Sequence, residues 1–200
     1  ALFFTIEKMN DDAQLTTSLR QSLETQGINF DKKIILVTAH RRESFGQGLA
    51  SICDALRQIA LSFPAVQLIY PVHLNPHVRE TVMARLGNAP NAILMEPQDY
   101  QTFVFLMQRA FMILTDSGGI QEEAVSISKP VLVMRKVTER VEAVEEGTAK
   151  IVGIQITTIV ESVRELLTNP EAYHAMVKTG KPYGKGTTSK LILDCLAQRL

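Results

Sequence analysis

A chain of 200 residues, 46% hydrophobic and 21% charged, is long enough to bury a full core and has the make-up of a globular domain. Its 21 basic and 21 acidic residues cancel to a formal net charge of zero. That balance excludes a global pull toward nucleic acid or an anionic membrane, so neither is an expected partner and any anion site must be a local device.

Residues 1–24 place Leu2, Ile6, Met9, Leu15, Leu19 and Leu23 at the spacing of an amphipathic helix, with Asn10-Asp11-Asp12 as a candidate interruption. Gln26-Gly27-Ile28-Asn29 ends it. The opening Ala1-Leu2-Phe3-Phe4 has no initiator Met and begins inside the pattern, so the chain reads as a fragment of a longer one. From Lys33 onward a beat repeats: short apolar run, polar turn, amphipathic helix. The runs fall at 34–37, 66–70, 92–94, 111–114, 131–133 and 151–152. Most are aliphatic or β-branched without alternation, as in strands covered on both faces. Helical patterns occupy roughly 48–62, 75–87, 99–109, 119–127 and 155–168. This order predicts an α/β fold, a parallel sheet built of right-handed βαβ units. Two further helices, about 170–179 and 186–198, are joined by the turn residues Gly180-Lys181-Pro182-Tyr183-Gly184.

Cys53 and Cys195 lack metal-ligand spacing, lie in apolar helical patterns and read as buried thiols of a reducing compartment. No apolar run is long enough to span a bilayer and no signal-peptide pattern is visible, so a cytoplasmic protein is expected.

Ligands of such sheets bind beyond the carboxyl ends of the strands. Thr115-Asp116-Ser117-Gly118-Gly119 follows the fourth run and opens a helix. Two glycines at a helix start let exposed N–H groups approach an anion, and Ser117 adds a hydroxyl. Glu123 lies one turn along, suited to hydroxyl groups beyond a phosphate. The plainer alternative is an N-cap followed by glycines. The string is neither a P-loop, since no Lys-Ser/Thr follows, nor Gly-x-Gly-x-x-Gly. Thr38-Ala39-His40-Arg41-Arg42-Glu43 follows the first run and offers a histidine and two arginines to an anion, or a surface ion-pair cluster. Tyr70-Pro71-Val72-His73-Leu74-Asn75-Pro76 brings His73 to the same rim, with Asn75 as a cap; a structural histidine is the alternative. Glu96-Pro97-Gln98-Asp99-Tyr100 offers Gln98 to a base edge, with Phe103 a turn further or simply in the core. Arg140 lies in a charged stretch after the fifth run and suits closure over an anion, or solvent. The residues alone supply an anion-binding rim without a complete catalytic set: no Ser-His-Asp order and no metal-ligand cluster stands out.

Taken together, four strings resemble the non-hydrolysing UDP-N-acetylglucosamine 2-epimerases over nearly the whole chain. They are Thr38-Ala39-His40-Arg41-Arg42-Glu43, Tyr70-Pro71-Val72-His73-Leu74-Asn75-Pro76, Leu114-Thr115-Asp116-Ser117-Gly118-Gly119-Ile120-Gln121-Glu122-Glu123-Ala124 and Lys129-Pro130-Val131-Leu132-Val133-Met134-Arg135. The resemblance implies the C-terminal half of a GT-B architecture, two Rossmann-like halves with the site between them. Residues 1–30 would be an interdomain helix and linker, 31–182 the UDP-binding domain and 183–200 a helix packing toward a missing N-terminal domain. The family interconverts UDP-GlcNAc and UDP-ManNAc, a precursor of cell-surface polysaccharide. It does so by eliminating and re-adding UDP, with no metal or other cofactor.

Carried over by position, Ser117, Gly118 and Gly119 would bind the diphosphate and Glu123 the ribose. Gln98 and Phe103 would frame the uracil. His40, the one catalytic candidate, would contact the departing phosphate, with Arg140 nearby. Arg41 and His73 match positions that touch a second, allosteric UDP-GlcNAc. The family often has Pro where Val141 stands, which implies a looser loop around Arg140. The acids that move the C2 proton lie in the family's N-terminal half, so this chain alone is expected to be inactive; the parent would be a homodimeric epimerase. Two rivals remain: another GT-B enzyme, such as a glycosyltransferase or hydrolysing epimerase, and a non-catalytic nucleotide-sugar-binding module.

Overall fold

The computed structural model describes residues 1–41, 46–177, 183–184 and 186–198. Arg42 and Glu43 of the first rim string, and Gly180, Lys181 and Pro182 of the tail turn, lie outside the described residues.

Helices α1 (Leu2–Asp11) and α2 (Ala13–Thr25) open the chain. They part at Asp12, whose carboxylate caps α2 by accepting from the Leu15 N–H at 2.8 Å. Gly27 closes α2 with a φ of +94°, a conformation that favours glycine. The Gly27 N–H then reaches the Glu24 carbonyl and the Ile28 N–H the Leu23 carbonyl, a Schellman arrangement.

The alternation that follows is β1 (Lys33–Thr38), α3 (Gln47–Ser62), β2 (Val66–Pro71), α4 (Pro76–Leu86), β3 (Ala92–Met95), α5 (Tyr100–Arg109), β4 (Met112–Thr115), α6 (Gly118–Ser126) and β5 (Val131–Val133). Then come α7 (Val141–Glu145), β6 (Ala149–Ile151), α8 (Ile156–Thr168), α9 (Pro170–Met176) and α10 (Thr188–Ala197). The strands form one parallel sheet in the order β3-β2-β1-β4-β5-β6. This is the Rossmann order, and its direction of winding reverses between β1 and β4.

Both faces of the sheet are covered, and residue alternation assigns each side chain to one face. Ile35, Val37, Leu68, Tyr70, Met112, Leu114 and Leu132 join the core under α3, α4 and α8. Ile34, Leu36, Ile69, Ile113, Val131 and Val133 join the other, with Leu2, Met9 and Leu23 of α1 and α2 and Phe105 of α5. Each such aliphatic side chain contributes about 1.5–3 kcal/mol by leaving water. That double burial explains why the runs show no polar alternation. Gln67 clips the α2 exit to the sheet: it donates to the Gly27 carbonyl and accepts from the Asn29 N–H.

Three sequence readings need correction. The sixth strand is Ala149–Ile151, not 151–152; it is an edge strand with two exposed residues, so its apolar run is short. Helix α7 was read as charged loop because five residues, two of them glutamates, carry no helical period. Cys53 is buried, and burial pushes its thiol up to about 12, but Cys195 is exposed. Its helix α10 buries none of its residues, and Leu191, Ile192, Leu193 and Leu196 face outward. Among the described residues, no helix is long and apolar enough to cross a membrane.

Candidate functional site

The reversal between β1 and β4 opens a crevice at the carboxyl end of the sheet, and the rim loops meet there. Thr38 and Thr115 are register partners at the ends of β1 and β4. Their hydroxyls meet at 2.6 Å, wholly inside the protein. Thr115 Oγ1 also accepts from the Ser117 N–H at 2.9 Å, which sets the turn before α6.

Asp116 is fully buried, unusual for an ionisable side chain. Its Oδ2 accepts from the N–H groups of His40 and Arg41, each at 2.7 Å. The carboxylate of the β4 turn therefore holds the backbone of the β1 turn. Tyr70 on β2 supports it from behind, its hydroxyl donating to the Ala39 carbonyl. Burial foremost, with the Asp116 carboxylate nearby, holds the Tyr70 phenol well above its usual range, so it stays protonated.

Helix α6 begins at Gly118 with no capping side chain at Ser117, and its first internal bond runs from the Gln121 N–H to the Ser117 carbonyl. Its first-turn N–H groups, with the positive end of the helix dipole, point at the crevice. Arg140 lies against this turn. A Cβ at Gly118 would sit 3.3 Å from the Arg140 guanidinium carbon, so Gly118 admits the arginine. A Cβ at Gly119 would meet nothing within 4 Å.

The Arg140 loop is tied down despite Val141. Arg140 Nε donates to Glu122 at 2.6 Å, and its N–H donates to Thr138 Oγ1 at 3.1 Å. The Thr138 hydroxyl in turn donates to the buried Gln121 at 2.6 Å. Arg135, only 5% exposed, grips Glu139 through two bonds at 2.8 and 3.1 Å. That hydrogen bonding holds the Glu139 carboxyl down at about 2, with the Arg41 charge a smaller aid. Val141 occupies the first position of α7, where a proline would suit the helix but is not required.

A cleft of about 260 Å³ opens at this rim, lined by His40, His73, Gln98, Phe103 and Ser117 among others. The imidazoles of His40 and His73 stack at 5.3 Å, with only 6° between their planes. Asn75 caps α4 and Asp99 caps α5. Gln98 is turned back by a 2.7 Å bond from its amide to the Glu96 carbonyl. Phe103 reaches the cleft while packing against the core. Glu123 stands outside this lining and accepts a 2.7 Å bond from the Tyr100 hydroxyl. Burial and that carboxylate push the Tyr100 phenol upward. Gly118 and Arg140 adjoin the cleft through Ser117, and Arg41 enters the network by its backbone N–H.

Asp116, Glu122, Tyr100 and the Arg135–Glu139 pair were not singled out in the sequence. An Asp before Ser-Gly-Gly looks like a cap, and an Arg beside Lys136 looks solvated. Only the packing shows otherwise. The arrangement gathers hydrogen-bond donors around one small volume, with the Arg140 guanidinium adjoining at Gly118 and an aromatic ring and an amide flanking it. It suits a nucleotide with phosphates at α6.

The family model for UDP-N-acetylglucosamine 2-epimerase matches residues 4–197. The UDP-N-acetylglucosamine 2-epimerase of Yersinia pestis is 52% identical over 196 residues, 98% of this chain and 52% of the relative. The crystal structure of UDP-GlcNAc 2-epimerase from Neisseria meningitidis bound to UDP-GlcNAc aligns with a TM-score of 0.94 at 42% identity. It covers 98% of this chain and 52% of that one. The UDP-GlcNAc 2-epimerase of Methanocaldococcus jannaschii in complex with UDP-GlcNAc and UDP aligns at 0.71 and 25% identity, covering 92% and 52% of the two chains. The chain thus spans about half the length of the relatives it matches. It belongs to the UDP-N-acetylglucosamine 2-epimerase family.

Proposed function

We propose that this chain is the UDP-holding half of a non-hydrolysing epimerase that interconverts UDP-GlcNAc and UDP-ManNAc by eliminating UDP and adding it back. The observation that carries the reading is the uncapped start of α6 at the sheet's reversal point, with Arg140 against Gly118. Relatives whose structures hold UDP-GlcNAc or UDP support it.

In this reading Ser117, Gly118 and Gly119 supply donors to the diphosphate, and Arg140 adds charge beside them. His40 contacts the phosphate that leaves the sugar. Donors fixed where negative charge develops lower the barrier without reorganising during the reaction. Phe103 packs on the uracil and Gln98 bonds its edge. Glu123 holds the ribose hydroxyls, steadied by Tyr100. Arg41 and His73 receive a second UDP-GlcNAc as activator, a reading supported by the stacking of His73 on His40.

Among the described residues that line the cleft, none is a carboxylate. A general base must reach the proton it removes, so the acids that act on C2 come from a second Rossmann-like domain, and this chain alone binds UDP without epimerising. The same reading makes 1–30 the interdomain segment and 183–200 a helix turned toward that domain, in a cytoplasmic homodimer. The outward apolar side chains of α10 support the last assignment. The test is the product made by the parent protein from UDP-GlcNAc. UDP-ManNAc with UDP still attached is expected; free UDP, or a new glycosidic bond, would reject the reading.

A further inference from the structure

The Asp116 carboxylate is only half used by the backbone. Oδ2 takes both N–H groups of the His40 turn, at 2.7 Å each. Among the described residues, Oδ1 is buried and accepts no hydrogen bond. Nδ1 of His40 lies 3.6 Å from it. A shift of about 0.5 Å makes that contact a hydrogen bond, and such bonds commonly tighten only when a ligand seats.

We infer that Asp116 is a positioning residue for His40, holding its turn through Oδ2 and fixing a proton on Nδ1 through Oδ1, so that Nε2 is the nitrogen offered to a phosphate. The inference rests on the nucleotide reading of the cleft and adds to it the chemical state of the ring. An ionised carboxylate only accepts, so the nitrogen facing Oδ1 must carry hydrogen. A ring between that carboxylate and a phosphate oxygen donates through both nitrogens, which only the doubly protonated imidazole does. The stacked neighbour behaves oppositely. His73 Nδ1 accepts from the Asn75 N–H at 3.1 Å, so its proton sits on Nε2. Two rings in one stack thus carry opposite tautomers, each set by what faces Nδ1.

Substituting Asp116→Asn separates the two jobs. The amide oxygen still serves the His40 and Arg41 N–H groups, while the amide nitrogen can only donate toward Nδ1. Long-range 1H–15N NMR of the imidazoles in the 200-residue chain reads the tautomers directly. The native chain should show His40 protonated at Nδ1 and His73 at Nε2, and Asp116→Asn should move the His40 proton to Nε2. UDP should convert native His40 to the doubly protonated form, and the substitution should weaken UDP binding about tenfold. His40 protonated only at Nε2 in the native chain, or a tautomer unchanged by Asp116→Asn, overturns the inference. Should the variant not fold, the native spectrum decides alone. The expected tautomers with no UDP binding to the native chain would uphold the role of Asp116 and reject the nucleotide reading.

Discussion

Among the described residues a cavity lies at each end of the sheet, and the proposed nucleotide site is the smaller of these two. The larger, about 600 Å³, lies at the amino ends of the strands, between Lys32, Lys33, Phe63, Pro64 and Leu167. Helices α3 and α8 finish there, so it receives the negative ends of their dipoles. The smaller lies where α5 and α6 begin. Lys32 and Lys33 line the first end, and Lys33 sits 4.3 Å above the Phe111 ring. At the other end the loops converge: a buried carboxylate ties β4 to β1, and Glu122 aims an arginine at a helix start. Size does not mark a site for an anion. The polarity of the helices meeting there, and the groups held in place around them, do.

That contrast breaks most directly at Arg140. Arg140→Ala removes a charged donor from α6, worth about 1.5–3 kcal/mol, so UDP affinity should fall roughly 10- to 100-fold by calorimetry. An unchanged affinity would leave the carboxyl end with no advantage. The glycines sharpen the point. Gly119→Ala meets no atom of the chain within 4 Å, so the melting temperature should hold or rise, yet UDP affinity should drop about tenfold. Gly118→Ala should lose affinity by displacing Arg140 instead, and adding Arg140→Ala should then cost little more.

The Arg135–Glu139 clip should show itself in acid. A folded-state carboxyl held near 2, against an ordinary 4.5, stabilises fully above about pH 4.5, and that gain fades as pH falls through 2. The stability difference between the native chain and Glu139→Gln should be flat from pH 7 to about 4.5 and vanish toward pH 2. A difference that grows in acid would refute the pairing. The smallest effect belongs to the other end. Lys33→Ala loses its contact with Phe111, about 0.5 kcal/mol, and should leave UDP affinity untouched.

The sequence carried the sheet because burial on both faces writes unbroken aliphatic runs such as Ile34-Ile35-Leu36-Val37. It also carried the rim, because loops after strands are where His40, His73, Gln98 and Ser117 had to fall. What it hid is set by tertiary neighbours. Asp116 and Arg135 are polar residues in polar strings, and nothing local announces that one is wholly enclosed and the other nearly so. Cys195 misled in the opposite sense: its apolar helix resembles a core helix, but α10 buries none of its residues. Ala149-Lys150-Ile151 was misplaced because an edge strand needs only one buried side chain.

The most direct test of the central claim is a UDP titration of the 15N-labelled chain, followed through its backbone amides. The largest shifts should fall on Ser117, Gly118 and Gly119, with His40 and Arg140 next and Lys32, Lys33 and Leu167 still. Shifts concentrated at the amino-end cavity, or none at millimolar UDP, would contradict the account.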